Sequence, residues 1–99
     1  MRIEFHPDAL AEYQAAVAHY EDRNPGLGAR FILAIEKALE SIRQAPERWP
    51  ILEDDVRRRL TRVFPFAVLY TIELEYVLIV AIMHCHREPG YWRRRVYER

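Results

Sequence analysis

Cysteine occurs once, at Cys85, so no internal disulfide can brace the chain, and this usage fits a reducing compartment. The longest apolar run, Val77 to Met83, is far too short to cross a bilayer. Met1 to Phe5 is followed at once by polar residues, so the pattern of a secretory signal is missing. No repeat or low-complexity segment is present, and there is a single lysine, Lys37. What remains is a chain of 99 residues, 51% hydrophobic and 12% aromatic, which can build a core and is not disordered. These features predict one domain over residues 1–99, soluble and cytoplasmic, with no cofactor.

Formal net charge is zero, but its distribution is lopsided. Residues 1–56 carry six basic and eleven acidic side chains, residues 57–99 nine basic and four acidic, a split of −5 against +5. All the cations except Lys37 are arginine, whose planar fork suits carboxylate and phosphate. The C-terminal half is therefore shaped for an acidic partner, protein or nucleic acid, unless the charges merely form a solvated face.

The local patterns predict an α+β fold. "MRIEF" alternates as a short strand, and "HPDALAEYQAAVAHYEDRN" follows as a helix with Pro7 and Asp8 in its first turn. Asn24-Pro25 reads as the start of a second helix running to about Gln44, with Phe31, Ile35, Leu39 and Ile42 on its buried stripe. So short a break predicts an antiparallel helix hairpin. "PERWPILEDD" reads as loop. "VRRRLTRVF", "FAVLYTIE" and "YVLIVAIMHCH" then predict a three-stranded antiparallel meander packed on the helices, joined by the first strand, with its other face partly open.

The strand end "AIMHCHREPGYW" gathers the chemistry. Strand alternation puts His84 and His86 together on the open face and Cys85 opposite, as a small buried residue. Arg87, Tyr91 and Trp92 follow, and the basic strand adds Arg57, Arg58, Arg59 and Arg62, with Arg62 pointing away from Arg57 and Arg59. Together they offer cations for a phosphate, an imidazole for proton transfer and a ring for stacking. Each part has a plainer reading: Trp92 and Tyr91 as core caps, the arginines as a solvated edge that blocks aggregation. Two imidazoles supply only half a zinc shell, so no metal site is expected.

"RRRLTRVFPFAVLYTI" and the close "VAIMHCHREPGYW", in this order after a strand and two helices, resemble the RelE/ParE superfamily of toxins from bacterial type II toxin–antitoxin systems, the plasmid-stabilisation type. The resemblance spans essentially the whole chain. It implies a toxin neutralised by a cognate antitoxin. RelE-like members cut messenger RNA on the ribosome, and Arg62, Arg87 and Tyr91 would match their site, with His84 or His86 as a further acid–base group. ParE-like members poison DNA gyrase and block replication without such a set. Zero net charge and a basic strand without lysine tilt the expectation toward gyrase. A relic that only binds its antitoxin is the third reading. In each case Arg57, Arg58, Arg59, Arg87, Tyr91 and Trp92 are the expected partner-facing residues.

Overall fold

In the computed structural model, which describes residues 1–99, the chain runs β1 (Arg2–Phe5), α1 (Pro7–Arg23), α2 (Leu27–Gln44), β2 (Ile51–Glu53), β3 (Val56–Leu60), β4 (Phe66–Ile72), β5 (Tyr76–His84) and α3 (Arg93–Tyr97). His6 caps α1, its Nδ1 accepting the Asp8 N–H at 3.1 Å, and Pro7 occupies the first turn, where its missing donor costs nothing. The junction with α2 departs from the expected cap. Asn24 closes α1, and the N-cap of α2 is Gly26, whose φ of 91° favours glycine. The capping acceptor comes from α1 instead: the Glu21 carboxylate takes the N–H groups of Gly26 and Gly28 at 3.0–3.1 Å. Gly28 also lets the helices meet, because a Cβ there would stand 3.0 Å from Glu21 and the Val17 carbonyl.

The sheet has five strands in the order β1-β5-β4-β3-β2. β1 pairs parallel with β5, Ile3 opposite Val77, since the helix hairpin carries the chain over before the meander begins. The other pairings are antiparallel. β2 lies inside the stretch expected to be loop. It is a three-residue edge strand, entered after Pro50 and left through Asp54, which has φ 52°. The basic strand is shorter than expected and ends at Leu60, so Arg62 and Phe64 belong to a turn.

One irregularity governs the faces of β5. Leu69 pairs with Ala81 but Tyr70 with Ile79, which leaves Val80 as an extra residue. Val77 and Ile79 pack toward the helices, while Leu78, Val80 and Ala81 face the other way. Ile82 then returns to the helix side. The core under the hairpin contains Phe31, Ile35, Ile42, Phe66, Val68 and Tyr70. On the opposite face Val56, Leu69, Leu78 and Val80 are covered by Trp92, 3% exposed, with Tyr91 and Val96 beside it. That face is closed by the C-terminal segment, including the unforeseen α3. Cys85, expected inside, is exposed, because β5 stops at His84 and the chain turns, Arg87 N–H donating to His84 O at 3.0 Å.

Candidate functional site

At the end of β5 the bulge sends His84 to the helix side, where its ring meets Phe66 edge-on at 5.2 Å. Its Nδ1 accepts the His86 N–H at 3.1 Å, so the neutral ring carries its proton on Nε2. The rings of His84 and His86 lie 5.2 Å apart despite the turn. Tyr91 sits beside the opposite core. Its hydroxyl donates to Glu12 at 2.8 Å, and burial, then this bond, pushes the phenol above its usual range. Arg87 stacks over Tyr91 at 3.8 Å and pairs with Glu88 at 3.3 Å. Glu12 also accepts from the two terminal guanidinium nitrogens of Arg95 at 2.9 Å.

This pair completes the sheet. β1 reaches only as far as Ile79, leaving an open edge along the rest of β5. Glu12 accepts the Ile82 N–H at 3.1 Å and Arg95 donates to Val80 O at 3.0 Å, so one ion pair satisfies two edge groups. Other C-terminal cations are likewise matched with N-terminal acids, Arg93 with Glu53 at 2.6 Å and Arg99 with Asp55 at 2.7 Å. Much of the −5/+5 split is thus cancelled within the chain.

The basic strand divides. Arg57 and Arg59 face the helix side with Tyr70 and Val68. Arg57 donates to the carbonyls of Glu47 and Trp49 at 3.0 and 2.7 Å, holding the loop before β2. Arg59 donates to Ser41 Oγ at 3.0 Å and to Leu60 O, and lies 4.2 Å over the Trp49 ring. Burial, then the nearby Arg62 and Arg48, lower its pKa. Arg58 points to the opposite face without a side-chain partner. Arg62 does not share a surface with Tyr91: it borders a groove of about 280 Å³ with Arg59 and Lys37 of α2. An adjoining hollow of about 220 Å³ adds Arg30, Leu33 and Val63. No carboxylate pairs with Arg30, Lys37 or Arg62. Nor do three or more His, Cys, Asp or Glu side chains converge anywhere to hold a metal ion.

Residues 3–89 match the family "ParE toxin of type II toxin-antitoxin system, parDE". The chain belongs to the ParE toxin family. It is a toxin of the type II toxin–antitoxin class, within the RelE/ParE superfamily, and its partner is an antitoxin. In fold it is similar to a chain of the chromosomal ParDE TA system from P. aeruginosa, with a TM-score of 0.75 and 18% identity over 85% of this chain and 95% of that one. No curated protein matches it in sequence. No helix is long and apolar enough to cross a membrane.

For this ParE-family chain the structure brings Arg87 and Tyr91 together and sets Arg62 among the cations of α2. Trp92, expected among the partner-facing residues, is instead a core residue, as its plainer reading had it, because its ring is buried against Val56, Leu69, Leu78 and Val80. Sequence reasoning missed Glu12 and Arg95, which lie 83 positions apart and carry no shared motif. It also missed Arg30 and Lys37. Their seven-residue spacing on α2 was a legible signal, being one helical face.

Proposed function

We propose that this ParE-family toxin acts by poisoning DNA gyrase and so blocking replication, rather than by cutting messenger RNA. The observation that carries the reading is the state of Tyr91. A ribosome-dependent nuclease would need Tyr91, Arg87 and Arg62 free to surround one phosphate. Here the Tyr91 hydroxyl donates to Glu12, Arg87 lies on Glu88, and Arg62 lines the α2 groove. A phenol held above its usual range by burial and a carboxylate is a poor base at neutral pH. Zero net charge also disfavours entry among ribosomal phosphates.

Controlled induction in a bacterial host tests this. Expected are trapped gyrase–DNA cleavage complexes, filamentous cells and a DNA damage response, with early translation spared, and relief when the antitoxin is co-expressed. Prompt cleavage of transcripts within codons, abolished by Arg87→Ala while DNA stays intact, would reverse the assignment in favour of an endoribonuclease.

A further inference from the structure

Between β3 and β4 the chain reverses through an unusual turn. Phe64 N–H donates to Arg62 O at 2.8 Å across Val63, whose φ is 75°: this is the strained form of γ-turn. A β-branched residue suits that region of backbone space least. The turn is nevertheless fixed on both sides. The Thr61 hydroxyl reaches the carbonyls of Phe64 and Phe66 at 3.0 and 3.1 Å, and the Phe64 ring packs edge-on against Tyr20 and Phe31 at 5.0 and 5.2 Å. Val63 itself is 88% exposed and touches no core. Strain of this kind persists where the surroundings hold it, and such positions cluster at binding and switch sites.

The surroundings of Val63 are specific. Leu33 of α2, 57% exposed, lines the same hollow, so two aliphatic side chains face solvent together. Arg30, Lys37 and Arg62 rim it, none with an acidic partner, and Arg59 continues the positive surface.

We infer that the Val63 turn and the outer face of α2 form a docking site for an acidic peptide segment bearing aliphatic side chains, supplied by a protein partner. The arginine forks would take carboxylates while Val63 and Leu33 bury the aliphatic groups. A nucleic-acid strand fits less well, because stacking needs exposed rings. Phe64 is turned inward, and Trp49 is covered by Arg48 and Arg59 at 5.1 and 4.2 Å. The inference deepens the toxin–antitoxin reading and rests on it for the natural source of such a segment, not for the chemistry.

Fluorescence anisotropy with a labelled synthetic Glu/Leu amphipathic peptide tests the site. Expected is saturable binding by the intact protein that weakens as salt rises. Lys37→Glu with Arg62→Glu should reduce affinity about tenfold or more, whereas Arg2→Glu, at the other edge of the sheet, should not. Val63→Gly is the decisive variant: glycine accepts φ 75° freely, so melting temperature should rise while binding falls several-fold. No binding, equal binding of a peptide with Ser in place of Leu, or unchanged affinity in Val63→Gly would overturn the docking site. Tighter binding of oligothymidylate would overturn it in favour of nucleic acid. Loss of the site leaves the induction experiment untouched: a toxic protein relieved by its antitoxin, yet indifferent to these variants, keeps the first reading and discards this one.

Discussion

Arg95 and Arg62 carry the same guanidinium, yet one is enclosed and the other faces an open groove. Arg95 is 11% exposed, holds Glu12 in a forked pair and caps the Val80 carbonyl. Arg62 has no acid and stands beside Lys37 and Arg59. The difference lies in what the neighbouring backbone lacks. At the free half of β5 a donor and an acceptor need partners, and burying an ion pair satisfies both while the two charges neutralise each other. At α2 the helix satisfies its own backbone, so nothing in the fold demands those cations. Arginine at the first place is structure. At the second it is available for binding.

The largest effect should come from breaking the enclosed pair. Arg95→Ala or Glu12→Ala removes one side of an ion pair whose side chains are 11% and 17% exposed, and strips partners from the β5 edge. We expect a loss of about 2–3 kcal/mol in urea unfolding, with the double variant costing clearly less than the sum. A cost no greater than that of an ordinary surface substitution would erase the distinction between the two clusters.

Alkaline pH probes the same corner more gently. Burial raises Tyr91, Tyr13 and Tyr70 from the usual 10.0, Tyr70 to about 12, with hydrogen bonds to Glu12 and Glu36 adding to the first two. Above pH 10 the unfolded chain loses these protons while the folded chain keeps them, so stability falls as pH rises through and beyond that value. Melting temperature should decline there, and Tyr91→Phe should make the decline shallower. An identical slope in the variant would show that Tyr91 is not held as its contacts imply.

The smallest effect belongs to the open cluster. Lys37→Ala with Arg62→Ala should change stability by no more than about 0.5 kcal/mol, since neither side chain has a partner to lose. A loss approaching that of Arg95→Ala would mean that the groove supports the fold, and its reading as a free surface would fail.

Periodicity located α1, the buried stripe of α2, β4 and β5 from the sequence, because apolar spacing is a local consequence of each backbone period. It erred where a side chain's role depended on distant residues. Pro50 and the acids after it masked β2, whose pairing to β3 is non-local. Asn24-Pro25 looked like a cap because the real acceptor, Glu21, belongs to the preceding helix. Strand alternation put His84 and His86 on the open face, and the extra residue at Val80 moved His84 across the sheet.

The sequence by itself determined the helix hairpin, the aliphatic strands, the superfamily and the −5/+5 split, all written in local pattern or composition. Only the tertiary structure decided which charges cancel. Whether Arg95 meets Glu12, and whether Arg62 meets nothing, depends on which backbone groups the closed sheet leaves unpaired. Coulomb attraction and desolvation act through space, between positions as far apart as 83 residues, where spacing along the chain carries no information.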